Sequence, residues 1–234
     1  MRKESFSLDN YVHVYNRGNR KQPIVHHNRD RDYFLKALFY FNTEQTPHTP
    51  FRELNKLRLN LSKLEWPEDW PPHKPIVKII AFALMPNHFH LLLKEIKESG
   101  ISKFMQRLGT GLTMYYNTKY KESGSLFQGS YKAKVIDENL YLKYLSVYIQ
   151  IKNIFEFYPG GLKKAVSEFN KAYDWVADYP YGSLSDFIEE KNRGIIEKDI
   201  FSELFLDMRE YKEFARECML SINLDEKLGD IMLE

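Results

Sequence analysis

β-branched and aromatic residues fill Tyr11-Val12-His13-Val14-Tyr15 and stop at Arg17-Gly18-Asn19, which predicts a strand entering a turn. Between residues 30 and 41, apolar positions fall at 33, 34, 37, 38 and 41, a helical period. Residues 44–75 contain six prolines, Pro47, Pro50, Pro67, Pro71, Pro72 and Pro75, and read as an irregular insertion with a short helix near residues 51–61. The run from residue 76 to 84 predicts a buried strand, Met85-Pro86-Asn87 a turn, and residues 88–94 the returning strand of a hairpin. Apolar positions at 104, 105, 108, 112, 115 and 116 predict a helix over 102–120, stopped by Lys121-Glu122-Ser123-Gly124. Residues 126–136 read as a strand broken near Gly129. Asp137 then reads as the N-cap of a helix over 138–157, which ends at Tyr158-Pro159-Gly160-Gly161. Further helices are expected near 162–173, 200–208 and 210–219. This order predicts an α+β fold, an antiparallel sheet with helices on it.

The 234 residues are 43% hydrophobic and 28% charged, enough to bury a core. The single cysteine, Cys218, excludes an internal disulfide and a cysteine-based zinc site. The longest apolar run, residues 76–85, is too short to span a bilayer, and the N-terminus has no apolar core of a signal peptide. A cytoplasmic protein with no membrane partner is expected. The net charge of +2 divides unevenly. Residues 1–36 carry eight basic against four acidic residues (+4), residues 101–135 six against one (+5), and residues 186–234 seven against fourteen (−7). Basic segments rich in Tyr and Phe suit phosphate contacts with base stacking, and equally suit solvated helix faces.

The sharpest local feature is Met85-Pro86-Asn87-His88-Phe89-His90-Leu91-Leu92-Leu93. On a strand, His88 and His90 share one face, where two imidazoles can hold one cation, while Phe89 enters the core. A bare His-x-His also describes two histidines on a half-buried strand. Flanking apolar residues favour a rigid metal-binding strand. Downstream, Tyr141, Tyr144 and Tyr148 stand on the helix YLKYLSVYIQIKNIFE. Taken alone they read best as aromatic core, although tyrosine can also act as a covalent nucleophile.

The words YVHVYNRGNRKQPI, DRDYFLKAL, FALMPNHFHLLL, GSLFQGSYK and YLKYLSVYIQIKN, in that order, resemble the single-tyrosine HUH transposases, in particular the REP-associated tyrosine transposases. The resemblance covers about residues 8–160. It implies a ferredoxin- or RRM-like antiparallel sheet for residues 1–160 and leaves residues 161–234 as an acidic helical extension. It implies that His88 and His90 bind Mg²⁺ or Mn²⁺ and that Tyr148 is the nucleophile. It also implies cleavage and rejoining of hairpin-bearing single-stranded DNA through a 5′-phosphotyrosine link, by a homodimer. His13 is expected in the core or behind a metal ligand.

Three departures from the family pattern stand out. The family's third ligand, a Gln or Asn four residues after the tyrosine, is here Lys152, with Asn153 one position late and a substitute ligand if it can reach. Ser130 stands where the family word Gly-x-Leu-Trp-x-Gly-Arg has Arg. The 44–75 insertion is long. Arg17, Arg20, Lys21, Arg107, Lys132, Lys134 and Lys152 are the expected DNA contacts. Lys152 and Ser130 also motivate a rival, a hairpin binder that no longer cuts. A second rival is a metal-dependent hydrolase with no covalent step.

Overall fold

The computed structural model of the chain describes residues 6–57, 63–188, 193–221 and 224–229. Four strands, β1 (Tyr11–Arg17), β2 (Val77–Leu84), β3 (His88–Glu95) and β4 (Lys132–Ile136), form one antiparallel sheet in the order β2-β3-β1-β4. Helices α1 (Asn28–Tyr40), α2 (Pro50–Lys56) and α3 (Gly100–Tyr120) lie between the strands. With α2 in the insertion, the order β1-α1-β2-β3-α3-β4 is the split βαβ arrangement of ferredoxin-like folds. Beyond the sheet come α4 (Asn139–Val147), a π turn (Tyr148–Lys152), α5 (Asn153–Phe155), α6 (Gly161–Ser167), α7 (Phe169–Asp178), α8 (Leu184–Ile188), α9 (Asp199–Leu204), α10 (Met208–Leu220) and α11 (Leu224–Leu228).

Strand alternation sorts the sheet into two faces. Val12 and Val14 of β1 join Phe89, Leu91 and Leu93 of β3 and Phe82 of β2 on one face, packed with Phe34 and Leu38 of α1 and Phe104 and Leu108 of α3. Each such fully buried side chain contributes about 2–3 kcal/mol of transfer free energy. The other face carries His13 and Tyr15, His90 and Leu92, and Ala81 and Ala83 in cross-strand rows. Residues from α4, the π turn, α7, α9 and α10 cover its β2–β3 half, so Ala81, Ala83 and Leu92 share one core with Val176, Phe201 and Tyr211. The C-terminal segment therefore packs on the same sheet face as the histidines. Residues 181–183 also line the β2 edge, with Ser183 N–H donating to Phe82 O at 3.1 Å, which covers an otherwise open strand edge.

The insertion is anchored rather than loose. Trp66, Trp70 and His73 pack with Phe39 and Tyr40 of α1. The helix expected near 51–61 is α2, which ends at Lys56; residues 58–61 lie outside the described part. The strand expected over 126–136 shortens to β4. Residues 126–128 instead dock on the end of β1, where Asn19 N–H donates to Leu126 O (2.8 Å) and Gln128 N–H to Arg17 O (3.0 Å). Asp137 is not the cap of the following helix, whose N-cap position is Glu138, without a side-chain bond. The helix expected over 138–157 is interrupted by the π turn. Among the described residues no helix is long and apolar enough to cross a membrane.

Asp30 ties α1 to α3. Its buried carboxylate accepts from the backbone N–H of His26 (2.8 Å) and His27 (2.9 Å) and from the hydroxyls of Tyr115 (3.0 Å) and Tyr120 (2.6 Å), and it pairs with Lys119. Burial alone would raise its pKa, but these donors hold it well below the usual carboxylate range. A depressed carboxylate contributes stability above its unfolded pKa of about 3.9 and loses it as pH falls below that value. Asp30→Ala is expected to cost about 2–4 kcal/mol in urea unfolding at pH 7, with the gap to wild type narrowing as pH drops below about 4. A gap that does not change with pH would contradict this assignment.

Candidate functional site

The turn Met85-Pro86-Asn87-His88 closes the β2–β3 hairpin, with Met85 N–H donating to His88 O at 2.9 Å. It sits on the loop that follows β1. Pro86 O accepts from Ile24 N–H (2.7 Å), and Asn87 O accepts from Gly18 N–H (2.7 Å). Gly18 is required by this close approach, since a Cβ there would lie 2.1 Å from Gln22 O. The two short motifs, Asn16-Arg17-Gly18 and Met85-Pro86-Asn87-His88, are thus halves of one substructure. The Asn87 side chain bridges them. Its Nδ2 donates to Lys21 O (3.1 Å), and its Oδ1 lies 2.6 Å from His88 Nδ1. That acceptor fixes the proton on His88 Nδ1 and leaves Nε2 as a lone-pair donor.

His88 and His90 do share a face, with ring centroids 5.1 Å apart and planes at 89°. His90 is fully buried and stacks on His13 at 5.1 Å, with His13 Nε2 and His90 Nδ1 at 2.9 Å. The two are diagonal neighbours, because His90 pairs with Tyr15 and His13 with Leu92. Tyr15 also stacks on His90 at 5.7 Å. Burial pushes all three imidazoles toward the neutral form. His13 falls to about 3, by burial and then Lys134, and His88 to about 4, by burial and then Arg17. His90 falls well below the ordinary value through burial and the two neighbouring rings. Neutral imidazoles are the metal-binding form, and His90 Nε2 is buried with no hydrogen-bond partner. Among the described residues no group of three or more His, Cys, Asp or Glu is placed so that it could hold a metal ion by itself. A cation held by His88 and His90 would therefore complete its shell from amide, water or phosphate oxygens, as Mg²⁺ and Mn²⁺ sites commonly do.

Tyr148 packs against His90 within the same chain. Its ring lies 5.3 Å from the His90 ring at 88°, and the side chain is 5% exposed. Lys152 stands over the Tyr148 ring at 5.4 Å. The π turn shifts the register past the tyrosine by one residue, since Asn153 N–H donates to Tyr148 O across five positions rather than four. Asn153, one place late for an α-helix, is thereby brought under Tyr148. Its Nδ2 is buried without a hydrogen-bond partner.

The basic residues divide. Arg17 pairs across the strands with His88. Arg20 and Lys21 are exposed on the adjoining turn in left-handed conformations (φ 52° and 61°). Lys132 and Lys134 are exposed on β4 in the rows of Tyr15 and His13, over the rings of Tyr15 (5.8 Å) and Tyr141 (5.6 Å). Arg107 does not join them. Its guanidinium donates to the carbonyls of Phe41, Thr43 and Glu44, where it anchors the start of the insertion. Sequence reasoning missed Tyr15 and the Asn87 bridge. Tyr15 was readable, because it lies two residues past His13 on a strand. A cleft of about 560 Å³ lies elsewhere, lined on the opposite face by Phe89, Met105 and Phe127 and by none of His88, His90 and Tyr148.

Residues 73–152 match the family model described as IS200-like transposase. No curated protein matches the sequence. A solved structure of a REP-associated tyrosine transposase bound to a REP hairpin superposes with a TM-score of 0.44 and 14% identity, over 85% of this chain and 88% of that one.

With metal chelated, imidazole ¹⁵N spectra of His13, His88 and His90 are expected to stay those of neutral rings from pH 8 to about pH 5, with His88 protonated at Nδ1. Because the unfolded chain takes up these protons near pH 6.5, stability should fall as pH drops below about 6.5. A ring that charges near pH 6.5 would contradict the burial described here.

Proposed function

With residues 73–152 matching the IS200-like transposase family, we propose that this chain is a DNA transposase that cleaves and rejoins hairpin-bearing single-stranded DNA through Tyr148. The observation that carries this reading is the approach of the Tyr148 ring to within 5.3 Å of a buried, neutral His90 whose Nε2 has no partner. The Tyr148 hydroxyl gives up its proton as its oxygen attacks the scissile phosphorus, and the bond to the 3′ oxygen breaks. That oxygen takes up a proton as a free 3′-hydroxyl, and the 5′ end remains as a phosphotyrosine. Attack by a second 3′-hydroxyl reverses the step and joins strands.

His88 and His90 hold a Mg²⁺ or Mn²⁺ ion in this reading, with the Asn153 amide oxygen as the third protein ligand. Such an ion, when bound, neutralises charge on the scissile phosphate. His13 fixes the His90 ring from behind, as partners of metal-bound histidines do. Arg17, Arg20, Lys21, Lys132, Lys134 and Lys152 contact phosphates, positioning DNA without reading its sequence. Arg107, committed to backbone carbonyls, is not among them. A homodimer on hairpin DNA belongs to the same reading.

Incubation with hairpin-bearing single-stranded DNA and Mn²⁺ is expected to give a covalent protein–DNA adduct on denaturing gels. Tyr148→Phe should abolish the adduct, a loss of about 10³-fold or more, and His90→Ala or a chelator should reduce it by at least about 10²-fold. Cutting that survives Tyr148→Phe would identify a hydrolase instead, and tight binding without cutting would identify a hairpin binder.

A further inference from the structure

Gln150 stands in the middle of the π turn, two residues past Tyr148, and is fully buried. A buried primary amide is tolerated only when it is hydrogen-bonded. Its Oε1 accepts from the Tyr211 hydroxyl of α10 at 2.8 Å, and its Nε2 donates to Ser183 Oγ at 3.0 Å. Ser183 is itself pinned to β2, because its Oγ also accepts from Phe82 N–H at 3.0 Å. Tyr211 has no exposed surface and packs edge-on against Phe201 (4.7 Å) and Phe205 (5.0 Å). One amide therefore ties the tyrosine turn to the sheet edge on one side and to the C-terminal helices on the other.

An isolated helix does not adopt a π turn, since the wider turn has poorer packing and geometry than the α register. Something in the tertiary structure must hold it open. We propose that Gln150, Ser183 and Tyr211 form a positioning clamp that holds this turn in its π register, so that the C-terminal helices set where Tyr148 stands relative to the imidazoles. The catalytic consequence rests on the function proposed above, whereas the clamp itself is a claim about the turn and is tested separately.

The test uses the full chain carrying Gln150→Met with Tyr211→Phe. This pair removes both buried polar partners together and leaves neither orphaned, so stability should stay close to wild type. Three quantities are read: melting temperature, amide hydrogen exchange across residues 146–155, and single-turnover adduct formation beside DNA affinity. The double variant is expected to melt within about 3 °C of wild type. Exchange at 148–153 should rise about tenfold or more relative to the rest of the chain. The adduct rate should fall about tenfold with DNA affinity unchanged. A folded double variant with wild-type exchange in the turn overturns the clamp, and so does an adduct rate that follows stability alone. If wild type itself forms no adduct, the functional reading fails and the exchange measurement still decides the clamp. If the double variant does not fold, Tyr211→Phe alone is put to the same exchange measurement with the same two outcomes.

Discussion

His13 and His90 are both fully buried and share one hydrogen bond across the central strand pair. An imidazole in that position is tolerable only while neutral and bonded, because charging it without water would cost several kcal/mol. This constraint reaches outward through the sheet. A one-residue slip of β1 against β3 would turn Val12 and Val14 toward the tyrosine and bury His13 among Phe34 and Phe104. The register that assembles the hydrophobic core is therefore the register that assembles the histidines. The turn at Asn87 and Gly18 then locks the outer end of the same two strands, so that His88 is oriented by the fold rather than by chance rotamers.

Much of this was legible in the sequence, because strand alternation is a local property. The face shared by His88 and His90, the core side of Phe89 and the order of strands and helices all follow from period-two and period-3.6 patterns. What stayed hidden depends on contacts between distant segments. The residues 148–152 carry a good helical pattern, and nothing local signals a π turn there. The turn is held by Gln150 bonds to residues 33 and 61 positions away. Arg107 looked like one more cation in a basic segment, yet three carbonyls between the end of α1 and the start of the insertion claim it. Composition counts charge but cannot show whether a guanidinium is already used. Likewise residues 126–128 have strand-forming side chains, but they bond to the end of β1 instead of extending β4.

The acidic C-terminal segment separates charge from position. Its hydrogen bond to the tyrosine turn comes from an uncharged group, the Tyr211 hydroxyl, which the rings of Phe201 and Phe205 pack against, and Ser183 just upstream supplies the other. Asp186 and Arg193 of this segment pair in the interior, whereas Lys212 pairs with Asp174 (3.1 Å) and Arg216 with Glu213 (4.0 Å) at the surface. Exposed pairs of this kind contribute about 1 kcal/mol at most, so packing does not explain an excess of seven acidic residues. The excess acts on the field instead, leaving this flank negative while Lys132 and Lys134 on β4 make theirs positive. A chain ending near residue 160 would keep all four strands and the histidine row. It would also uncover Ala81, Ala83 and Leu92 and leave the Gln150 amide buried in nothing. The histidines need only the sheet, whereas the tyrosine turn needs the sheet and the C-terminal helices together, so the two halves of the site depend on different lengths of chain.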